Sequence, residues 1–447
     1  MIMINCTRKI FSSRINSARI LAIFPTPSIS HQTVFRPLTQ ALSRRGHEVT
    51  VVTTDPVNSK DPDLVKLVEI DLHNVSYRTT NGDIFEIYGK EEKQLKTKEM
   101  QKLLQKNENY YDLLILEACS RPALVFSHIF KAPVIQISSL GVCEHLQNAM
   151  LRRYFGAAVP RIAELNNNIH MLLLATNPIW AGNTPVPPNV IFIGGIHENP
   201  DEKLSEDLKY FLDNSKNGVI YASFGSNVKT NKINAKITRI LAHVFTESTL
   251  NIIWKLDQNE LPKQSDHIKI MNWLPQAALL RHPNVKLFIT QGGLQSTEEA
   301  ITAGVPLIGI PILADQWYNT EQYVHFNIGV KLNYDTLNKK QLQESIYRLT
   351  LDDSYRKNVV KLRQQILDQP QKPLERAVWW TEYVLRNGGR HLRSPSANIS
   401  WISLELELLF FLTIVFLILY VMLKIIIRIT CKVLGKMIIC KIKEKNS

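Results

Sequence analysis

The sequence predicts an α/β protein of two doubly wound domains facing a cleft, followed by a long apolar helix. Three observations predict it. A strand, a loop, a helix and a second strand fit within residues 18–54, the pattern of a βαβ unit with parallel strands. Short apolar runs then alternate with helix-like stretches up to residue 196, and the alternation starts again at 218. Near the C-terminus the apolar run is long enough to cross a bilayer.

The first unit reads as strand ARILAIF (18–24), loop PTPSISHQ (25–32), helix VFRPLTQALSRRG (34–46) with a glycine stop, and strand HEVTVVTT (47–54). DLLILEA (112–118), APVIQISS (132–139), HMLLLATN (170–177) and NVIFIGGI (189–196) continue the strand series. Residues 18–196 thus form a first domain and 197–217, polar and charged, a linker. The second domain, 218–372, opens with GVIYASFGS (218–226). It runs through NIIWKL (251–256), IKIMNWLP (268–275), VKLFIT (285–290) and VPLIGIPI (305–312). A helical segment follows within 373–400, then an apolar span at 402–427 and a basic tail at 428–447.

The net charge of +13 would suit a nucleic-acid binder if it were spread over the body. It is not. The first nineteen residues hold four basic groups and no acid, and Lys424 onward holds seven against one, so ten of the thirteen surplus charges lie at the ends. No footprint for nucleic acid remains. Of five cysteines only Cys119 and Cys143 lie in the body, without a CxxC or a Cys/His cluster, so the sequence predicts no zinc site and no disulfide framework. Positive charge after the apolar span predicts a cytosolic tail and a body on the other side of the membrane. The tail ends KIKEKNS, which resembles a dilysine retrieval signal of the endoplasmic reticulum. Residues 1–17 are a leader of unclear type: Arg- and Ser-containing, acid-free and without an apolar h-region, closer to a transit peptide or to a wrongly assigned start than to a signal peptide.

In open parallel sheets ligands bind beyond the carboxyl ends of the strands, and the polar candidates gather there. SFGS (223–226) ends a strand with Ser226. Trp273 and Gln276 follow another, an indole to stack on a base and an amide to bond its edge. Gly292 and Gly293 open a helix. An isolated glycine pair is also what a bare turn requires, but a helix N-terminus with glycine is equally a place where an anion meets free N–H groups. Glu299 can accept from ribose hydroxyls, and Asp315 with Gln316 can hold sugar hydroxyls. His31, in SISHQ, supplies a group able to take a proton near neutral pH.

Trp273 through Gln316 resembles the 44-residue signature box of the UDP-glycosyltransferases, W-L-P-Q … H-P … G-G … E-A … G-V-P … P … D-Q. QGGLQSTEEAITAGVPLIGIP and LERAVWWTEYVLRNGG (374–389) resemble the insect branch. The resemblance covers nearly everything from Ala18 to Leu423. It implies a GT-B fold of two Rossmann-like domains, a membrane anchor, a lumenal catalytic body and a UDP-sugar co-substrate, with no metal and no other cofactor. It places Trp273 and Gln276 at the uracil and Glu299 at the ribose. Ser226, Gln291 and the turn through Gly292, Gly293, Gln295 and Ser296 meet the diphosphate, and Asp315 and Gln316 address the sugar. Many members carry His where this chain has the uncharged Gln291. His31 falls on the catalytic histidine, and Glu117 on its partner aspartate. The implied reaction is a single displacement with inversion, moving a hexose, glucose in the insect branch, to a hydroxyl of a small lipophilic acceptor.

One departure concerns the acceptor side. After SSLGVCEHLQNAM (138–150) the chain passes directly to LRRYFGAAVPRIAELN (151–166), where members carry several tens more residues. The competing expectation is therefore a UDP-sugar-binding paralogue, impaired or inactive, that partners other copies. A third is a tail-anchored protein facing the cytosol. The sequons at Asn74 and Asn398 distinguish the two orientations. Homo- or hetero-oligomers are compatible with either enzyme or paralogue.

Overall fold

The computed structural model describes residues 17–57, 61–75, 93–139, 151, 154–156, 158–225, 235–256, 266–393 and 401–445. Its body, up to Arg393, holds two parallel sheets. The first contains β1 (Arg19–Phe24), β2 (Glu48–Thr53), β3 (Leu67–Asp71), β4 (Leu113–Glu117), β5 (Val134–Ser138), β6 (Ile169–Leu174) and β7 (Val190–Phe192), in the order β3-β2-β1-β4-β5-β6-β7. The second contains β8 (Val219–Ser223), β9 (Asn251–Lys255), β10 (Ile268–Met271), β11 (Val285–Thr290), β12 (Leu307–Gly309) and β13 (Gly329–Lys331), in the order β10-β9-β8-β11-β12-β13. Every pairing is parallel.

The central strands are apolar throughout because helices cover both faces; β4, β5 and β8 are buried at every position. Each sheet accordingly separates two apolar clusters. Strand order reverses between β1 and β4 in the first sheet and between β8 and β11 in the second. Diverging loops leave a crevice at such a reversal, and both crevices matter below.

Several elements differ from the sequence reading. The first helix spans Ile29–Arg44, five residues earlier than the pattern suggests. Ser28 and Ser30 read as loop residues, but Ser28 is the extended residue before the first turn and its hydroxyl pairs with that of Ser30 at 2.9 Å. His31 therefore stands on the first turn of a helix, not in a loop. The 197–217 segment is not a bare linker: Glu206–Asn214 is a helix, its Ser205 cap accepts from the Leu208 N–H, and Leu208 and Leu212 are wholly buried in the second half. Its charges mark the outer face of an amphipathic helix. Strand β3 was not anticipated because, at the sheet edge, none of its five residues is fully buried, and β13 because it is three residues long.

The chain crosses between the halves more than once. Trp180, which follows β6, is buried in the second half's core, where its Nε1 donates to Asn319 Oδ1 at 2.9 Å. The Pro373–Asn387 helix returns, burying Ala377, Val378 and Val384 in the first half's core. There Glu382 is paired with Arg45 and Arg386.

The C-terminal unit begins at Ser394. Its described residues form one helix, Trp401–Lys445, whose Ile402–Gly435 portion is long and apolar enough to cross a membrane. The expected basic tail is not a separate segment; the same helix continues through it to Lys445.

Candidate active site

A cleft of about 990 Å³ lies between the two halves, lined by Ser30, His31 and Arg36 on one side and by Trp273, Gly293 and Asp315 on the other. On the first side, β1 ends at Phe24 and the chain turns into the Ile29–Arg44 helix, which presents His31. Strand β4, next to β1, ends in Glu117. The two side chains meet, with His31 Nδ1 at 2.7 Å from Glu117 Oε1 and both residues buried. The Thr26 main-chain N–H donates to the other carboxylate oxygen at 3.2 Å. With the carboxylate accepting from Nδ1–H, the imidazole keeps its Nε2 lone pair for the cleft. Glutamate in place of aspartate thus brings its carboxylate within hydrogen-bond distance of the imidazole.

Cys119 was not anticipated here. His31, Glu117 and Cys119 offer ligand atoms within 4.8 Å of one another, a grouping the linear sequence does not reveal. His31 Nδ1 is already committed to Glu117 at 2.7 Å, so a metal bound through that nitrogen would displace this contact. The arrangement reads as a base, its acid and a neighbouring thiol.

On the second side, β11 ends at Thr290, and Gln291, Gly292 and Gly293 lead into the Leu294–Ala303 helix. The two glycines have different reasons. Gly292 has φ +89, and a Cβ there would stand 2.6 Å from Thr320 Cγ2 of the Gln316–His325 helix. It is required by packing, not by a ligand. Gly293 has an ordinary extended conformation, φ −64 and ψ 142, and its missing Cβ would meet only Gln291 Nε2, at 3.2 Å. Gly293 is therefore the glycine that keeps the helix N-terminus open toward the cleft. Gly225, two residues past the end of β8 with φ +76, makes room for the Gln291 amide, with which a Cβ would collide. Ser226 lies outside the described residues.

Trp273 is 58% exposed, with Lys255 Nζ 4.5 Å from the ring centroid. Gln276 does not offer a free amide edge. Its carbonyl accepts from Tyr221 OH at 2.9 Å, and its Nε2 donates to Ser296 Oγ at 2.9 Å and Glu299 Oε2 at 2.7 Å. It braces Glu299 as much as it faces any base. Burial, reinforced by Glu198 and Glu202, pushes the Glu299 carboxyl up to about 7 against the Gln276 bond and Arg281. Gln295 and Ser296 line the cleft on the first turn of the same helix. Asp315 Oδ2 accepts from Asn319 Nδ2 at 3.0 Å. Burial raises its carboxyl, while Asn319, the Leu294 main chain and His31 across the cleft oppose the rise. Gln316 spends its carbonyl on the N–H groups of Ile312 and Leu313, at 2.9 and 3.0 Å, and keeps its amide nitrogen for the cleft.

Sequence reasoning missed a set of buried groups beside Glu299. His197 lies with Nδ1 3.6 Å from Glu298 Oε2 and Nε2 3.7 Å from Glu299 Oε1. Burial pushes His197 down to about 4 and Glu298 well above the ordinary carboxyl range. Linker and helix residues far apart in the chain give no local pattern that could have announced this.

Comparisons with known proteins show the family and the fold. Residues 144–442 match the family model described as UDP-glucoronosyl and UDP-glucosyl transferase. The chain is 32% identical to an ecdysteroid UDP-glucosyltransferase of Spodoptera littoralis nuclear polyhedrosis virus, over 86% of this chain and 92% of that protein. It is 28% identical to UDP-glucosyltransferase 2 of Dactylopius coccus, over 91% and 92%. Among solved structures, Arabidopsis thaliana UGT89C1 superposes with a TM-score of 0.64 at 17% identity, over 83% of this chain and all of that one. The kitacinnamycin glycotransferase superposes with a TM-score of 0.62 at 19% identity. The fold is GT-B, and the chain belongs to the UDP-glucoronosyl and UDP-glucosyl transferase family of sugar-transferring enzymes.

Proposed function

We propose that this enzyme moves glucose from UDP-glucose to a hydroxyl of a small lipophilic acceptor, with inversion, and that His31 is the general base. The observation that carries the reading is the buried 2.7 Å pair of His31 and Glu117 at the wall of the cleft. In the proposed step the acceptor O–H proton goes to His31 Nε2 while its oxygen forms a bond to the anomeric carbon. The bond from that carbon to UDP breaks, and the electron pair leaves with UDP. Glu117 holds the tautomer and stabilises the imidazolium. The charge growing on the diphosphate meets the main-chain amides after Gly293 and the helix dipole. Trp273 stacks on uracil, Glu299 takes the ribose, and Asp315 with the Gln316 amide takes the sugar. The relatives' names support UDP-glucose as donor, and the ecdysteroid enzymes among them support a lipophilic acceptor.

The apolar C-terminal helix supports anchoring in the membrane of the endoplasmic reticulum, with the catalytic body lumenal and the basic end cytosolic. Glycan on Asn74 in cells is the expected mark of that orientation; a body never glycosylated overturns it. Conjugation of this kind makes lipophilic compounds soluble, a detoxifying role.

The test is glucoside formation by the purified full chain with UDP-glucose and a panel of phenols and an ecdysteroid. His31→Ala is expected to lower turnover by about 10²–10⁴-fold while leaving UDP binding intact. Unchanged turnover removes His31 from the mechanism. A second reading, a UDP-sugar binder without turnover, is favoured by one observation. The comparison with the viral enzyme spans 475 positions, of which 86% of this 447-residue chain fills only about 384, so this chain lacks residues that the relative has somewhere along the match. UDP binding with no product across the panel would select it.

A further inference from the structure

The segment leaving β7 carries an unusual load. His197 has a side chain only 3% exposed, and neither ring nitrogen makes a well-formed hydrogen bond, although the Gln295 main chain beside it favours the protonated ring; Glu298 Oε1 has no partner either. The imidazole lies between two adjacent carboxylates of the Leu294–Ala303 helix, Glu298 at 3.6 Å and Glu299 at 3.7 Å. The same segment is stitched to that helix at two further points. The Gly195 N–H donates to Glu298 Oε2 at 3.1 Å, and Thr302 Oγ1 donates to Glu198 Oε1 at 2.5 Å. Gly194 leaves no room for a side chain, since a Cβ would lie 2.7 Å from Glu298 Oε1.

Charge decides the protonation pattern. Glu198, Glu298 and Glu299 share this enclosure, with Glu202 nearby, Tyr221 facing Glu299 from β8, and Arg281 as the cation set against the acids. Arg281 itself is turned onto the carbonyls of Asn199, Pro200 and Glu202. Three carboxylates crowded into this enclosure cannot all ionise, so Glu298, whose carboxyl is held well above the ordinary range, stays a neutral acid and becomes a donor. Nδ1 of a neutral imidazole is then its acceptor, and Nε2–H points at Glu299 Oε1. This polarity gives both ring nitrogens a partner once each contact shortens by about 0.7 Å to hydrogen-bond length, and it leaves Glu299, the less strongly raised carboxyl, as the one that ionises.

We propose that Glu298 and His197 are positioning residues, a neutral relay from the interdomain segment that holds and aims the Glu299 carboxylate at the donor's ribose. The relay rests on the reading that Glu299 takes that ribose. It also makes donor binding and the placement of the interdomain segment one event, because the ribose contact and the hinge contact share a carboxylate.

The experiment uses the full chain, with UDP calorimetry and steady-state kinetics in UDP-glucose. His197→Ala is expected to raise KM for the donor about 10-fold with kcat within a factor of about two, the signature of lost binding without lost chemistry. Losing a donor to the carboxylate also moves the acidic limb of UDP affinity to higher pH. Glu298→Gln is the decisive variant. Its amide still donates to Nδ1, so wild-type KM is expected, whereas Glu298→Ala should behave like His197→Ala. If Glu298→Gln loses as much affinity as Glu298→Ala, the group acts as a charge and the relay is wrong. Should His197→Ala fold poorly, His197→Gln, which can donate to Glu299, is expected to restore affinity; equal loss in both overturns the proposal. Wild-type protein that ignores UDP defeats the reading of the cleft, whereas wild-type binding with indifferent variants defeats the relay alone.

Discussion

The two sheets reverse strand order at equivalent places, between β1 and β4 and between β8 and β11, yet they furnish the crevice differently. The first offers two ionisable side chains, His31 and Glu117, locked to each other. The second offers main chain: a helix N-terminus made reachable by Gly293, with side chains such as Gln276 and Gln291 braced around it. Moving a proton needs a base whose orientation a partner fixes. Holding a diphosphate needs N–H groups already in place, and glycine provides access to them. The chemistry explains why the same architecture is dressed in side chains on one side and stripped of them on the other.

Substitutions that exchange these logics test the contrast. The largest effect is expected from Glu117→Gln. It keeps the size of the side chain but removes the charge that stabilises the imidazolium, and turnover should fall by about 10³-fold with UDP affinity unchanged. A parallel loss of UDP binding would show that the two crevices are not separable. Next, the adjacent glycines should part company. Gly292→Ala meets Thr320 and a left-handed backbone and is expected to destabilise the fold by about 2–4 kcal/mol in denaturant titration. Gly293→Ala should leave stability within about 0.5 kcal/mol but weaken UDP binding about 10-fold. Equal destabilisation by both would mean that Gly293 is also a packing residue.

A further effect concerns pH. The Glu299 carboxyl sits higher in the folded chain than in the unfolded one, so its contribution to stability is complete below the ordinary carboxyl range and is lost as pH rises through about 7. Glu299→Gln abolishes that loss. The stability of the variant relative to wild type should therefore improve by about 2 kcal/mol between pH 5 and pH 8. A difference independent of pH would place Glu299 in a more solvated setting.

What the sequence disclosed followed from local pattern. β1, β4 and β8 are continuous apolar runs because both faces are covered, and such runs are visible without a structure. Trp273 and Asp315 come just past apolar runs, and with Glu299 they lie in a box of fixed length, both of which are local signals. What remained hidden depends on partners remote in the chain. Gly292 is glycine because of Thr320, and Gly225 because of Gln291. His197 becomes notable only when Glu298 and Glu299 are folded against it. The early start of the first helix was missed for a different reason: serine is at home both in loops and just before a helix, and only the Ser28 geometry separates the two.

Trp180 seated in the opposite half, and the Pro373–Asn387 helix seated in the first, amount to a clasp fastened from both directions. A single proteolytic nick in the exposed stretch near Asn199 should consequently yield two fragments that travel together and separate only in denaturant. The two pieces expressed as separate polypeptides should likewise find each other and rebuild one body.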